Sequence, residues 1–348
     1  MRSPIYKPYL FSETYSEIID VRSQAEFAED RIPGAINLPV LNNEERAQVG
    51  TLYKQSPFEA RKLGAALVSQ NISRHLTQHF HPHDKQYLPL IYCWRGGQRS
   101  QSLALVLSQI GWSVTVLEGG YKTYRAAVRE QLDSLPHQFR YQILGGLTGT
   151  GKTEILRHLA RQGLQVLDLE AIAHHRGSLL GQEWSEQPEP QPSQKWFESR
   201  LLQQLQQFNP AEPVWVESES NKIGKLYLPP ALWEQMQQAR FLEVQLPTSA
   251  RVQWLLQTYP HLIAHPDLLQ QKLLRLKSRY GSPICDRWLD LIDRQKWSEL
   301  VKDLLQTHYD PAYRRSISRT FTEASQVISL SDLTPSSIER AVALLQQP

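Results

Sequence analysis

The chain has 348 residues, 41% hydrophobic and 21% charged, and its 38 Lys and Arg against 35 Asp and Glu leave a formal net charge of +3. That length exceeds one ordinary core and suits two domains, and the weakly basic balance permits a nucleic-acid partner without requiring one. No apolar stretch approaches the roughly 20 residues that span a bilayer, and MRSPIYKPYLFSE lacks the apolar core and cleavage site of a secretory signal, so a cytoplasmic protein with no membrane contact is expected.

Ile18–Val21 reads as a buried strand, Gln24–Ala28 as a short helix and Ala35–Leu38 as a second strand. Phe58–Ser69 carries an amphipathic helical pattern. Leu88–Tyr92 is a strand running into Cys93, followed by a helix over Arg99–Ile110, a strand over Ser113–Leu117 and a helix over Tyr121–Leu132. Such alternation predicts a parallel α/β sheet. Periodicity lapses over Ser134–Arg140, so 134–140 is expected to link a first domain, 1–133, to a second, 141–348. There Tyr141–Leu144 is a strand feeding a glycine-rich loop and a helix over Lys152–Arg161, with further strands at Gln165–Leu169, Val214–Glu217 and Phe241–Leu246. Glu186–Pro192 is a proline-rich loop, expected to be lid-like. From Pro266 to Thr307 the pattern is helical, within a helical segment expected over 266–320, and Gln326–Leu330 and Ser336–Leu345 add a last strand and helix.

Two cysteines, Cys93 and Cys285, stand far apart, and a structural bridge between them is not expected in a reducing compartment. Cys285 sits beside Trp288 and Leu289 in a helical pattern and reads as a packing residue. Cys93 opens the run Trp94, Arg95, Gly96, Gly97, Gln98, Arg99, Ser100 between a strand and a helix. Backbone N–H groups in such a turn point inward, and the helix N-terminus adds partial positive charge, which favours the nucleophilic thiolate. Arg99 would close the ring on an oxyanion through its fork of donors. A merely buried cysteine at a strand end is the bland alternative. These residues resemble the rhodanese superfamily, together with Ile19-Asp20-Val21-Arg22, Glu26-Phe27, Ile32–Pro39 and the closing turn Glu118-Gly119-Gly120-Tyr121. Five residues separate Cys93 from Arg99, against four in most rhodaneses; the longer loop occurs in related phosphatases and arsenate reductases and makes a wider pocket.

Gly146, Leu147, Thr148, Gly149, Thr150, Gly151, Lys152 and Thr153 fit G-x-x-x-x-G-K-[ST] after a strand and before a helix. Its amides would cradle a phosphate, Lys152 would neutralise it and Thr153 would hold Mg²⁺. For a metal-side acid, Glu217 or Glu219 follows the Val214–Val216 strand, and Asp168 and Glu170 compete. His175 and Arg176, in the His174–Ser178 segment, are placed to line the ligand crevice, as strand carboxyl ends do. No hydrolytic apparatus can be assigned, so diphosphate binding is better supported than nucleotide hydrolysis. His75, His79, His81 and His83 cluster but read as a surface helix end, not a metal site. Lys272, Arg275, Lys277, Arg279, Arg314, Arg315 and Arg319, with Tyr280 and Tyr313 interleaved, suit RNA phosphate contacts and stacking or an ordinary solvated face.

The two loops in this order resemble the tRNA 2-selenouridine synthase family over essentially the whole chain, together with Asp168-Leu169-Glu170 and His175–Ser178. The resemblance implies an α/β fold: a rhodanese-like parallel-sheet domain, then a P-loop NTPase-like α/β domain with a helical C-terminal part. It implies a transferase that converts 2-thiouridine at the tRNA wobble position to 2-selenouridine. Geranyl diphosphate would first geranylate the sulfur, and selenophosphate would then supply selenium through Cys93 as a Cys–S–Se species. No tightly bound cofactor is implied, and the oligomeric state is left open. A rhodanese-type sulfurtransferase, or a C-x5-R phosphatase, coupled to a nucleotide-binding regulatory domain is the competing reading.

Overall fold

The computed structural model describes residues 3–8, 13–321 and 323–346, so part of the N-terminal MRSPIYKPYLFSE lies outside the described residues. The chain forms two compact units, Met1–Leu132 with Ser193–Gln203, and Asp133–Pro192 with Gln204–Pro348. Among the described residues no helix is long and apolar enough to cross a membrane.

The first unit is built on a parallel sheet of β1 (Ile5–Lys7), β2 (Glu17–Asp20), β3 (Ile36–Asn37), β4 (Pro89–Tyr92) and β5 (Thr115–Leu117), in the order β1-β5-β4-β2-β3. Every residue of β4 is buried, which is why it reads as an unbroken apolar run. Around the sheet stand α1 (Gln24–Glu29), α2 (Asn43–Gln55), α3 (Pro57–His75), α4 (Gln98–Ile110) and α5 (Gly120–Ser134). α4 turns Leu103, Ala104 and Leu107 into a core with Ile19, Ile91 and Val116. α2 starts at a reciprocal cap between Asn42 and Glu45 and buries no residue, so no apolar stripe announced it in the sequence. The Gln194–Leu205 helix, far along the chain, begins in this unit: Arg31 stacks on Trp196 at 3.9 Å and Arg125 pairs with Glu198.

Asp20 and Arg22 are 0% and 1% exposed and grip each other at 2.6 Å, and Arg22 also donates to the Asp30 carbonyl and lies 4.0 Å from the Tyr121 ring centre. The Asp-Val-Arg motif is therefore a buried ion pair that ties β2 to the turns below it. Removing one partner of such a pair leaves an uncompensated charge and costs about 3–5 kcal/mol. Asp20→Asn should lower the urea midpoint of this unit accordingly, followed by circular dichroism; an unchanged midpoint would show that the pair is not holding the unit together.

The second unit carries a parallel sheet of β6 (Tyr141–Gly145), β7 (Gln165–Leu167), β8 (Val214–Glu217), β11 (Arg240–Gln245) and β12 (Gln326–Ser329), ordered β12-β11-β6-β8-β7, and a hairpin of β9 (Lys222–Ile223) and β10 (Leu226–Tyr227). α6 (Lys152–Arg161) and α7 (Leu169–Ala173) precede the Gln194–Leu205 helix, α8, and α9 (Pro230–Gln238) and α10 (Thr248–Thr258) follow it. The helical part comprises α11 (Pro260–Ala264), α12 (Pro266–Leu274), α13 (Lys277–Tyr280), α14 (Ser282–Asp293), α15 (Trp297–Leu304) and α16 (Asp310–Thr320), and α17 (Pro335–Leu345) closes the chain. Cys285 is buried against Trp288 in the helical core, and neither cysteine is in a disulfide. The segment read as a link holds a short 3₁₀ turn over Leu135–Gln138. The proline-rich loop is tied down by Gln191, whose amide donates to the carbonyls of Ala173 and Ile223.

Candidate functional site

β6 lies between β8 and β11, so the turn that follows it opens beside the carboxyl end of β8, with Leu144 opposite Glu217. Gly151 caps α6 in the left-handed region at φ +78°, where a side chain would be strained and would also strike Leu333. Lys152 is 9% exposed; its Nζ donates to the Gly146 carbonyl at 2.7 Å and lies 3.4 Å from Glu217 Oε1. Thr153 Oγ1 donates to Glu217 at 3.0 Å and to Glu170 at 3.3 Å. Thr150 is buried and bonds the Leu147 carbonyl. Thr148, Gly149, Gly151, Lys152 and Thr153 line one crevice of ≈1570 Å³, counting its open mouth.

The competing acids are resolved by geometry. Glu170, Glu217 and Glu219 bring their oxygens within 4.8 Å of one another, whereas Asp168 accepts from the Ala171 amide and caps α7. Burial, then the charge of Glu217, raises both Glu170 and Glu219, the latter to about 8. Burial works against the Lys152 ammonium, but Glu217 and its neighbours outweigh it and hold the pKa above that of an ordinary lysine.

Arg251, which sequence reasoning missed, and Tyr313, read there as a stacking residue, support this loop. Arg251, 1% exposed, donates from Nε to the Thr148 carbonyl at 2.8 Å and from both terminal nitrogens to Asp310 at 3.1 and 2.6 Å. Tyr313 Oη accepts from the Gly146 amide at 2.6 Å and meets Ser218 Oγ at 2.9 Å. Tyr313 therefore belongs to the phosphate loop and is no outward stacking platform. Tyr280 also turns inward, onto His308 and Trp288. Lys272 is 8% exposed with its amine on Gln182, so it is not on a solvated face, while Arg275, Lys277, Arg279, Arg314, Arg315 and Arg319 are exposed. Arg176 lines the crevice but is held by Glu183, the Thr258 carbonyl and the Tyr259 ring. His175 does not line it; burial, then Lys272, lowers its pKa, and its Nδ1 is buried without a partner.

In the first unit Cys93 is 3% exposed, at the end of β4, and the Ser100 hydroxyl donates to its Sγ at 3.2 Å. The closing turn passes directly over this loop: the Tyr121 and Lys122 amides donate to the Cys93 and Trp94 carbonyls at 2.8 and 3.0 Å. A Cβ on Gly120 would lie 2.3 Å from the Cys93 carbonyl oxygen, which explains the glycine. Arg99 pairs with Glu26 at 2.8 Å, and Glu26 is itself fixed by the Ser23 amide at 3.1 Å. Burial raises the Glu26 carboxyl, but Arg99 outweighs it and the pKa is lowered. Trp94 is 37% exposed and packs on Tyr121, and Arg95 and Gln98 are exposed. Among the histidines, His75 bonds the Pro39 carbonyl, His79 pairs with Glu17 at 2.7 Å, His83 stacks on Tyr87, and His81 is exposed.

Residues 9–127 match the rhodanese-like domain family, and residues 139–332 match the family described as the tRNA 2-selenouridine synthase AAA domain. The chain thus joins a rhodanese-like domain to a nucleotide-hydrolase-type α/β domain. It is 38% identical to the tRNA 2-selenouridine synthase of Nitrosomonas europaea over 70% of this chain and 63% of that one. Identity to the proteins of that name from Shewanella sediminis and Shewanella halifaxensis is 33% and 34%, over 87% and 90% of this chain and 88% and 92% of theirs. The chain belongs to the tRNA 2-selenouridine synthase family.

Because Glu219 titrates near 8 when folded and near 4.5 when unfolded, folding takes up a proton throughout that window. The stability this group contributes is whole below the ordinary carboxyl range and is lost as pH rises toward about 8. Melting temperature should therefore fall across this interval, and Glu219→Gln should flatten the fall. Parallel melting profiles of the two proteins would refute the assignment.

Proposed function

We propose that the chain converts wobble 2-thiouridine in tRNA to 2-selenouridine in two steps, geranyl transfer from geranyl diphosphate to sulfur and then selenium transfer from selenophosphate. Membership of the family supports the overall conversion. One observation carries the geranyl step: an apolar chamber adjoins the phosphate loop. It is lined by residues such as Leu255, Leu262, Leu269, Leu300 and Leu304, has ≈620 Å³ of free space counting its mouth, and shares Thr148, Ser178, Leu255 and Tyr259 with the crevice. The enclosed part of this chamber is only ≈70 Å³, below the about 300–1,000 Å³ of a formed ligand pocket, so a hydrocarbon tail would enter by pushing the lining leucines apart. A nucleotide would have to bury a base with polar edges against leucines at a cost of about 1–3 kcal/mol per unpaired group. A prenyl diphosphate has a charged head for the loop and a hydrocarbon tail for the chamber.

Thr153 with Glu170, Glu217 and Glu219 is an all-oxygen donor set of the kind Mg²⁺ takes. Mg²⁺ bound there would offset diphosphate charge. Lys152 stabilises the diphosphate as it departs with the carbon–oxygen electron pair, while the sulfur of 2-thiouridine bonds to the geranyl carbon and the base loses its N3 proton. In the selenium step the Cys93 thiolate attacks phosphorus in selenophosphate, forming a sulfur–phosphorus bond and releasing selenide. Selenide displaces geranylthiolate from C2 of the base, and water hydrolyses the phosphocysteine. This sequence is redox-neutral, whereas a Cys–S–Se species formed from selenophosphate would need an oxidant. The five-residue loop and the Ser100 hydroxyl on Cys93 suit a thiolate acting on a tetrahedral phosphoryl group.

Cys93→Ala should abolish selenouridine while S-geranyl-2-thiouridine still accumulates, read by mass spectrometry of tRNA nucleosides. Leu255→Trp, which fills the chamber mouth, should block geranylation yet leave selenation of pre-geranylated tRNA intact. Loss of both activities in each variant would defeat the two-site reading. Lys152→Ala should weaken geranyl diphosphate binding about tenfold or more, the scale of a lost charged hydrogen bond; calorimetry showing unchanged affinity would sink that assignment.

A further inference from the structure

We infer that the open groove between α2 and α3 receives the anticodon strand of the tRNA substrate. The inference rests on the tRNA reading above and adds where the RNA lies. The groove has ≈1740 Å³ of space, counting its open side, and ends at Gln98 and Arg99, the last residues of the cysteine loop. Its lining includes the buried Leu41, Ala60 and Val68 and the small residues Ala47, Gly50, Gly64 and Ala65. A Cβ on Gly50 would lie 2.7 Å from an Arg46 guanidinium nitrogen, so this glycine makes room for the arginine.

The lining carries Arg46, Lys54, Arg61 and Arg99 and no aspartate or glutamate. Arg46, Lys54 and Arg61 are exposed and form no ion pair among the described residues. Two of the nearby acids are engaged elsewhere: Glu45 caps α2 and accepts from Asn71, and Glu59 pairs with Lys62, while Glu44, in the first turn of α2, is exposed and does not line the groove. Tyr53, 53% exposed, lines the same groove and offers a ring face beside the cations. Unpaired cations with an exposed aromatic make the electrostatic and stacking footprint of single-stranded nucleic acid. The C-terminal helices also carry exposed cations without ion pairs among the described residues, Arg275, Lys277, Arg279, Arg314, Arg315 and Arg319, but Tyr280 and Tyr313 among them turn inward and leave no ring face for a base. A strand seated in the groove would deliver its wobble base toward the Cys93 loop.

The test measures binding of full-length protein to an anticodon stem-loop carrying 2-thiouridine, by fluorescence anisotropy over a range of salt. The double variant Arg46→Glu, Arg61→Glu should bind about tenfold or more weakly and show a shallower salt dependence, by about 0.7 in log–log slope for each phosphate no longer neutralised. Both residues are exposed, and an unchanged circular dichroism spectrum and melting temperature would confirm that folding is intact. Equal affinity in the double variant and the parent would overturn the groove while leaving the tRNA reading in place. A loss seen instead only in Arg275→Glu, Arg279→Glu would also overturn it, moving the RNA to the C-terminal helices. A parent protein that binds no stem-loop would refute the tRNA reading, and the groove with it.

Discussion

Three carboxyl groups face one buried ammonium at the carboxyl end of β6 and β8, and the second unit is organised around that imbalance. Two like charges a few ångströms apart in a poorly solvated space cannot both ionise freely. Burial first, and then the charge of Glu217, favours the protonated forms of Glu170 and Glu219. A diphosphate arriving at the same loop would worsen the imbalance unless a cation came with it. On the proposal above, the acid cluster beside the loop would favour entry of the anion as its metal complex. The apolar chamber next door would then distinguish one diphosphate from another by what is attached to it, a task charge alone cannot perform.

Arg251 and Tyr313 show how that loop is kept in shape. Both come from helices distant in sequence, and each bonds a backbone group of the glycine loop. Arg251 is charge-matched by Asp310, so a buried guanidinium can support a carbonyl without leaving a bare charge. The glycine loop supplies flexibility for close phosphate approach, and these two side chains remove the excess of it.

The strands and the two loops were legible because their signals are local: apolar runs, glycines at fixed offsets, and a nucleophile or lysine at a strand–helix junction. α2 was illegible because it buries nothing, so period-3.6 apolarity never develops. The loop contacts of Arg251 and Tyr313 were illegible because their partners lie 103 and 167 residues away and neither stands in a motif. The Gln194–Leu205 helix shows a related limit, since Phe197 and Leu201 announce an apolar face but not which sheet it covers. Among the acids, pattern gave four candidates, and only the tertiary structure shows that Glu170, Glu217 and Glu219 converge while Asp168 turns to the Ala171 amide at the start of α7.

The rhodanese-type motifs also change meaning once their surroundings are known. Asp20 and Arg22 neutralise each other within the core, and Gly120 is required because the cysteine loop passes within van der Waals range. Glu26 is the informative member. Its carboxylate is fixed by the helix start at Ser23 and in turn fixes Arg99, 73 residues away, so the short segment after β2 aims the arginine of the anion loop. An arginine held this way keeps its charge, balanced by Glu26, and has its orientation fixed. On the selenophosphate proposal, an entering anion would compete with Glu26 for both terminal nitrogens of Arg99, which would disfavour weakly charged ligands and favour a multiply charged phosphoryl group. Such a loop would select by charge density as well as by width.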